Sequence, residues 1–242
     1  MIVHAEVIQG SQEWLRLRSG IPTSSQFDKI LTAGGKPSTQ AKGYLHTLLA
    51  ERIMGHPTIE AVSTWMSRGS SLEAEAVSFY ENIREIDTVK VGFITNDAGS
   101  IGASPDRLVG DCGLLEIKVP KEGTHVIYLL GGGISDAYKC QVQGQLWIAE
   151  KQWSDTLSFH PEMPPALVRC DRDDAFISLI AAAVTAFSDT LEAMALDLTA
   201  RGYIKPVEQQ QKPRAEDPLF LNDDDLAAFM KHKFGDDYNV GT

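Results

Sequence analysis

Cysteine is scarce in this sequence of 242 residues, which contains only three: Cys112, Cys140 and Cys170. They are widely spaced and form no Cys-x-x-Cys pair, so the sequence excludes a zinc ribbon and gives no reason to expect a disulfide framework. Unpaired cysteines are typical of proteins in reducing compartments. We therefore expect a cytoplasmic protein.

Long apolar runs are also missing. The most apolar stretch spans residues 176–187, about half of the length that a bilayer requires, and Asp189 and Glu192 follow soon after. The first ten residues lack the basic start and the apolar run of a signal peptide. The sequence therefore predicts neither a membrane segment nor a secretion signal.

Positive charge is in the minority, with 22 Lys and Arg against 33 Asp and Glu and a net charge of −11. An acidic surface repels phosphates, which argues against nucleic-acid binding. The acidity is uneven, however, because residues 1–55 carry a net charge of +2 and residues 155–242 a net charge of −8. A DNA-binding surface built from the first half of the chain stays open.

The composition that remains is ordinary for a globular protein, with 43% hydrophobic and 23% charged residues. The length predicts one large domain over residues 1–205. After Lys205, three prolines flank a run of three glutamines, which predicts a linker or extended tail over residues 206–242. Asn222 could cap one short helix in this acidic tail, and a loosely packed tail is the alternative.

Hydrophobic periodicity predicts a mixture of helices and strands. Helices are predicted over residues 11–18, 24–31, 39–54, 72–83, 137–150 and 173–199. Strands are predicted over residues 88–95, 100–109, 114–119, 156–159 and 166–170. Helices first, then a three-strand unit, a helix, more strands and a long helix indicate a mixed β-sheet covered by helices, in the α/β or α+β class.

The most informative stretch combines two carboxylates and a lysine. Side chains two apart on a strand share a face, so Glu116 and Lys118 point the same way, and Asp106 can approach them across a tight hairpin. Two carboxylates suit a hard cation such as Mg²⁺. A lysine beside them can orient or help deprotonate an attacking water, as phosphodiester hydrolysis requires. A solvated strand face with an ion pair is the alternative, and on these residues alone the two interpretations are evenly balanced.

Residues 104–106, Ser-Pro-Asp, and 115–118, Leu-Glu-Ile-Lys, match the pattern of the PD-(D/E)XK nuclease superfamily. Four further stretches match one group of that superfamily in the right order, namely Gln9–Ser25, Tyr44–Glu51, Arg68–Ala76 and Ala137–Trp147. The chain thus resembles the phage lambda exonuclease, or YqaJ-type viral recombinase, family. The resemblance implies a restriction-endonuclease-like α/β core, with a central mixed β-sheet flanked by helices.

The resemblance also implies catalytic roles. Asp106 and Glu116 would hold the metal with the backbone carbonyl of Ile117, and Lys118 would assist the attacking water. Two Mg²⁺ ions are implied, with Mn²⁺ as a substitute.

Two further residues would complete the implied catalytic cluster, Glu73 and Gln141. The residues by themselves leave plainer interpretations open. Glu73 is also a typical surface position, with Glu75 a near alternative for its role. Gln141, with Gln143 and Gln145 beside it, is also a simple polar helix face.

A further implied site is a pocket for a 5′-terminal phosphate, formed by Arg18, Ser25 and Ser104. The chemistry fits, because a guanidinium pairs bidentately with phosphate oxygens and hydroxyls donate at short range. Taken alone, Arg18 is simply a cation that favours a helix end. Trp14 is interpreted as a core residue.

The activity implied by the resemblance is a Mg²⁺-dependent 5′→3′ exonuclease. It would digest one strand of linear double-stranded DNA to mononucleotides and leave 3′ single-stranded overhangs for phage-type homologous recombination. The implied partners are duplex ends with a 5′ phosphate, two further copies of the chain in a ring-shaped homotrimer, and a single-strand annealing protein. The setting would be the cytoplasm of a bacterial host, with the chain encoded by a phage or prophage.

Two alternatives remain at this point. One is an endonuclease or structure-specific nuclease on the same PD-(D/E)XK fold, which would have no terminal phosphate to bind. The other is a catalytically silent DNA-binding scaffold subunit, which would have no need of a carboxylate and lysine cluster.

Overall fold

A computed structural model describes residues 1–58, 70–131 and 138–205 of the chain. A five-stranded sheet is formed, in spatial order, by β2 (Thr88–Lys90), β5 (Arg107–Val109), β6 (Gly113–Lys118), β7 (Trp153–Ser158) and β8 (Ala166–Asp171). A three-stranded sheet is formed by β1 (Ile2–His4), β3 (Phe93–Thr95) and β4 (Gly102–Ala103). The predicted mixed sheet is confirmed, because β6 pairs antiparallel with β5 and parallel with β7.

The helices flank the larger sheet. They are α1 (Gln12–Arg18), a 3₁₀ helix (Ser24–Lys29), α2 (Ala41–Met54), α3 (Ser70–Arg84), α4 (Glu122–Gly131), α5 (Lys139–Ile148) and α6 (Asp174–Ala200). The predicted helices are therefore present, except that residues 24–31 form a shorter 3₁₀ helix. Helix α4 was not predicted, because its apolar residues lie between glycines that resemble turn signals.

The helix ends follow their capping residues. Ser11 accepts a hydrogen bond from the backbone N–H of Trp14, which satisfies one of the unpaired donors at the start of α1. Asp173 caps α6 in the same way by accepting from Phe176. Helix α2 ends at Gly55, whose φ of 74° lies in the left-handed region that glycine adopts without strain.

Strand β6 is buried on both faces. Its side chains alternate between the two faces, and each face packs against a different helix. Leu114 belongs to the main core, which also contains residues of α2, α5 and α6. Leu115 and Ile117 point the other way, into a smaller core that includes Ala76 and Tyr80 of α3. The side chains of residues 114 and 116 therefore face α5, and those of residues 115 and 117 face α3.

Helix α5 approaches the 3₁₀ helix closely at Gly144. A Cβ at this position would lie 2.5 Å from the ring of Phe27 and 3.4 Å from Ser24. Only a residue without a side chain fits there, so Gly144 sets how near α5 lies to the segment that carries Ser25.

A buried carboxylate on β7 links helix α3 to the larger sheet. Asp155 on β7 has no exposed surface. Its carboxylate accepts hydrogen bonds from Tyr80 Oη at 2.9 Å and from Arg169 Nε at 2.8 Å and Nη2 at 2.9 Å. Arg84 lies 3.3 Å away at the end of α3. Such a carboxylate is stable in the interior because its lone pairs are occupied by donors.

The prediction of one strand over residues 88–95 is wrong. The chain leaves the larger sheet after Lys90 and joins the smaller one at Phe93. Side chains of the N-terminal segment take the intervening carbonyls, because Gln9 donates to Val91 O and Trp14 donates to Gly92 O. A ladder that loses these acceptors cannot continue.

The prediction of one strand over residues 100–109 is wrong for a similar reason. It divides into β4 and β5 around Pro105, which has no N–H to donate to a ladder. The break matters for the site, because residues 104–106 then lie between two sheets instead of inside one.

Helix α6 is the one helix in the described part of the chain that is long and apolar enough to cross a membrane by length and composition. The apolar run over residues 176–187 lies within this helix, which continues past Asp189 and Glu192 to Ala200. The same test is passed by core helices, and the inner face of α6 contributes Phe176, Ile180, Val184 and Leu191 to the main core. The predicted linker and tail, residues 206–242, lie outside the described residues, as do Arg68 and Ala137 of the matched stretches.

Candidate active site

Glu116 and Lys118 lie side by side on the face of β6 that α5 covers. Glu116 is only 2% exposed, and Lys118 Nζ lies 2.6 Å from its Oε1 atom. The ammonium also lies 4.6 Å from the centroid of the Tyr138 ring, at the start of α5. The alternative of a solvated strand face does not describe this pair, because Glu116 is buried and Lys118 is largely covered beside it.

The carboxylate of Glu116 receives donors on both oxygens. Oε1 accepts from Lys118 Nζ at 2.6 Å and from Gln141 Nε2 at 2.6 Å. Oε2 accepts from Gln145 Nε2 at 2.7 Å. Three donors, one of them a cation, therefore hold this buried carboxylate in place.

Asp106 lies immediately before β5 and reaches back to β6. Its Oδ2 atom accepts a hydrogen bond of 2.6 Å from the backbone N–H of Ile117. Burial and the negative charge of Glu116 raise the pKa of Asp106 to about 8, against the opposing effects of the Ile117 N–H and Lys118. Two carboxylates held this close repel each other, which is the situation that a bound cation relieves.

Glu73 and Glu75 take different places. Glu73 lies partly buried in the first turn of α3, and its charge contributes to the raised pKa of Asp106. Glu75 is exposed. The structure therefore brings Glu73, and not its alternative, towards the two carboxylates.

The polar face of α5 is turned inwards. Gln141 is partly buried and contacts Glu116, whereas Gln143 and Gln145 are 2% and 0% exposed. The simple polar helix face that the sequence left open is therefore not present. Gln145 was missed as a site residue, although its spacing of four from Gln141 puts both amides on one side of a helix.

Arg18, Ser25 and Ser104 form the second part of the site. Arg18 Nη1 donates to Ser104 Oγ at 3.0 Å, and Nη2 donates to Ser25 Oγ at 3.2 Å. Nη2 also contacts Thr23 Oγ1 at 3.4 Å, a residue that the sequence interpretation did not include. A partly buried guanidinium ringed by hydroxyls is suited to binding an anion.

Trp14 has a double role. It is buried, as expected of a core residue, and its Nε1 atom donates to Ser104 Oγ at 3.0 Å. The Arg18 guanidinium also stacks 4.2 Å from the centroid of a Trp14 ring. Trp14 thus fixes the orientation of two members of the pocket.

The site offers oxygen atoms as possible metal ligands. In residues 1–58, 70–131 and 138–205, no three His, Cys, Asp or Glu side chains are grouped as a complete metal site. Asp106 and Glu116 offer carboxylate oxygens, and the Ile117 carbonyl directly follows Glu116 in the sequence. This set of oxygen donors fits a hard cation that keeps several waters, such as Mg²⁺.

The cysteines and one histidine have structural environments. All three cysteines are unpaired, as the sequence predicted, and burial raises the pKa of the Cys140 thiol to about 11. Cys170 is only partly buried. His125 is fully buried, with its ring nitrogens bonded to Ser158 Oγ at 2.7 Å and Pro164 O at 2.9 Å.

The mixed sheet, the helices on its two faces and the Asp106, Glu116 and Lys118 cluster together define a PD-(D/E)XK-type nuclease fold. Residues 13–152 match the model of the YqaJ-like viral recombinase domain. The chain belongs to this family. The comparison with curated protein sequences gave no match.

Solved structures agree with the family. The chain is 32% identical to an alkaline exonuclease from Laribacter hongkongensis, with a TM-score of 0.71, over 79% of this chain and 98% of that one. The same enzyme in complex with dAMP gives a TM-score of 0.70 at the same identity and coverage. A phage-related exonuclease from Haemophilus somnus 129PT shares the fold at 17% identity, with a TM-score of 0.58, over 74% of this chain and 96% of that one.

Proposed function

We propose that this protein is a Mg²⁺-dependent 5′→3′ exonuclease that digests one strand of linear duplex DNA to mononucleotides. The observation that carries the proposal is the pairing of two sites on one short segment. Ser104 belongs to the Arg18 pocket, and Asp106, two residues later, belongs to the carboxylate cluster. A terminal phosphate and the bond to be cut would therefore be held by adjacent parts of the chain.

The carboxylate cluster supplies the hydrolytic chemistry in this proposal. Asp106, Glu116 and the Ile117 carbonyl would hold the cation, which when bound stabilises negative charge on the scissile phosphate and lowers the pKa of water. Lys118, fixed between Glu116 and the Tyr138 ring, would orient the attacking water and offset charge at the phosphate. Glu73 would add a further acidic group and Gln141 a donor beside Glu116.

In this proposal, the pocket formed by Arg18, Ser25 and Ser104 determines the direction of digestion by binding the 5′ end. Arg18 presents its guanidinium to Ser25 and Ser104, and a 5′-terminal phosphate would replace these neutral acceptors with charged oxygens. The gain in binding is therefore largest for a phosphorylated end. Further support comes from the Laribacter hongkongensis relative, whose complex contains dAMP, a deoxyribonucleoside monophosphate.

An endonuclease on the same fold is the second candidate. It has no terminal phosphate to bind, so the Arg18, Ser25 and Ser104 arrangement would have no ligand. A DNA-binding scaffold without catalytic activity would likewise have no chemical role for the Glu116 and Lys118 pair. The arrangement of both groups therefore favours the exonuclease.

The test is a time course of Mg²⁺-dependent digestion on linear and circular duplexes of the same sequence. We expect mononucleotides from the linear duplex and no cutting of the closed circle. Cleavage of the circle would support the endonuclease, and no cleavage of either would support the scaffold. Labels at the two ends of one strand separate 5′→3′ from 3′→5′ digestion.

We propose a ring-shaped homotrimer around duplex DNA, in which a basic inner wall contacts DNA while the acidic exterior faces solvent. Mn²⁺ would substitute for Mg²⁺ at a two-ion site. The product would be a 3′ overhang for phage-type recombination in the cytoplasm of a bacterial host, passed to a single-strand annealing protein.

A further inference from the structure

The two oxygens of Glu116 are held from different sides. Oε1 is contacted by Lys118 and Gln141, which are both partly exposed. Oε2 is contacted by Gln145, which has no exposed surface. One oxygen thus faces the open side of the site, and the other faces the protein interior.

The burial of Gln145 is energetically unfavourable at one atom of its side chain. Its Oε1 atom is buried and has no hydrogen-bond partner within the described residues. A buried acceptor without a partner destabilises the fold, and an apolar residue of the same shape would avoid that cost. The residue therefore contributes little through its oxygen, and its NH₂ group is the end with a function.

The direction of the amide is fixed by charge. If the amide were turned over, its oxygen would face the Glu116 carboxylate at hydrogen-bond distance, and two acceptors would repel each other. The NH₂ group therefore has to point at Oε2, as it does at 2.7 Å. This contact fixes the rotation of the carboxylate about its terminal bond.

Gln143 provides a comparison on the same helix. It is also buried, but both ends of its amide have backbone partners. Its Nε2 atom donates to Asp171 O at 2.8 Å, and its Oε1 atom accepts from Asp173 N at 2.9 Å. Gln143 thus ties α5 to the end of β8 and the start of α6, away from the carboxylates.

We propose that Gln145 is a positioning residue for the metal site. It holds Oε2 of Glu116 from the interior, so that Oε1 stays on the open side of the site, beside Lys118 and Gln141, where the cation would bind. This inference rests on the proposed metal-dependent function. Removing such a support leaves the ligand in place but free to rotate, and supports of metal ligands of this kind cost about 10–100-fold in affinity when they are lost.

The experiment compares Gln145→Met with Gln143→Met in the full chain. Methionine matches glutamine in length and carries no hydrogen-bond donor. Binding of Mn²⁺ without DNA is measured by isothermal titration calorimetry, and the melting temperature is measured on the same samples. We expect Gln145→Met to weaken Mn²⁺ binding about 10–100-fold. We expect Gln143→Met to lower the melting temperature and to keep the wild-type Mn²⁺ affinity.

A cleavage assay gives a second readout. With Gln145→Met, the metal concentration for half-maximal cleavage should rise, while the rate at saturating metal returns towards the wild-type value. If Gln145→Met does not fold, Gln145→Asn keeps the amide but is too short to reach Oε2, and it should show the same shift.

The possible failures are distinct. Wild-type Mn²⁺ affinity in a folded Gln145 variant would overturn the positioning role and leave the proposed function intact. An equal loss of affinity in Gln143→Met would also overturn it, because the effect would then reflect a loosened α5. A wild-type chain that neither binds Mn²⁺ nor cleaves DNA would overturn the proposed function itself.

Discussion

The backbone N–H of Ile117 donates a hydrogen bond of 2.6 Å to Oδ2 of Asp106, eleven positions earlier in the chain. Ile117 lies between Glu116 and Lys118. Strand β6 therefore contributes the side chains of Glu116 and Lys118 to the site, and its backbone binds the side chain of Asp106. The β5–β6 hairpin therefore fixes the three groups as one unit. Their arrangement does not depend on long loops.

Asp106→Asn should make the metal-free protein less sensitive to pH. Burial and Glu116 raise the pKa of Asp106 to about 8 from an ordinary value of 3.8. Between these two values the folded chain binds more protons than the unfolded chain, so stability from this group is greatest at low pH and falls as pH rises. The slope is at most about 1.4 kcal/mol per pH unit. Asparagine keeps an acceptor for the Ile117 N–H and does not titrate.

Thermal melts in a chelator between pH 5 and pH 8 measure this effect. The melting temperature of Asp106→Asn relative to wild type should increase across this range. Asp111→Asn is the matched control, because Asp111 is exposed in the turn of the same hairpin. A difference that is constant with pH would contradict the raised pKa.

Lys118→Ala should remove cleavage and retain metal binding. The ammonium lies against Glu116 and the Tyr138 ring, where it can act on the attacking water, and it is not a metal ligand. Loss of a group that assists proton transfer lowers kcat by about 10²–10⁴-fold. Single-turnover cleavage and Mn²⁺ titration measure the two properties separately. Lys121→Ala, at an exposed neighbouring position, should cleave normally, and wild-type cleavage by Lys118→Ala would refute the assigned role.

Arg18→Ala should reduce the preference for a phosphorylated 5′ end. The wild type is expected to digest a 5′-phosphorylated duplex much faster than a 5′-hydroxyl duplex, because only the former offers charged oxygens to the guanidinium. Arg18 sits between Ser25 and Ser104, so its removal takes away the central donor of the pocket. Initial rates on the two substrates give the ratio.

The control for this substitution is Arg16→Ala, at an exposed position on the same helix, which should keep the wild-type ratio. Arg18→Lys should restore only part of the preference, since an ammonium lacks the planar fork of a guanidinium. Equal wild-type rates on the two substrates would remove the basis for the pocket.

Much of the site could be predicted from the sequence because it depends on local periodicity. The spacing of two puts Glu116 and Lys118 on one face, and the glycine-bounded turn brings Asp106 across to them. Arg18, Ser25 and Ser104 come from distant segments, and only the family resemblance joined them. Gln145 was missed because the sequence does not show that the side of α5 it shares with Gln141 is buried.

The fold was less predictable where side chains replace the backbone ladder. Residues 88–95 alternate as one strand should, but Gln9 and Trp14 take the carbonyls at the point where the chain changes sheets. These contacts span about eighty positions in sequence, and periodicity in a short window carries no information about them. The break at Pro105 was visible in the sequence and was outweighed by the apolar residues around it.

Tyr80→Phe should destabilise the fold. The Tyr80 hydroxyl donates to Asp155 at 2.9 Å, and burial beside that carboxylate raises the pKa of the tyrosine. Phenylalanine removes one donor from a buried charge that Arg169 still pairs, at a cost of about 1–3 kcal/mol. Urea unfolding measures the change, with Tyr203→Phe, at an exposed position, as a control that should be neutral. A neutral Tyr80→Phe would show that the two arginines suffice.

The proposed ring predicts a solution mass near three chains by light scattering. A monomeric mass at micromolar concentration would contradict it.

Deleting residues 206–242 should leave exonuclease activity intact if the tail lies away from the DNA. A deleted chain that stays trimeric but no longer binds an annealing protein would assign the tail to that partner, whereas loss of the trimer would assign it to packing between subunits.

The short segment from Ser104 to Asp106 also sets a length. Two residues span at most about 7 Å, and Arg18 holds one end of this segment while Ile117 holds the other. In the proposed reaction, the distance from the anchored DNA end to the point of attack is therefore limited by a short segment that is hydrogen-bonded at both ends. Because this distance is constant, each turnover would remove the same length of strand, whatever its base sequence.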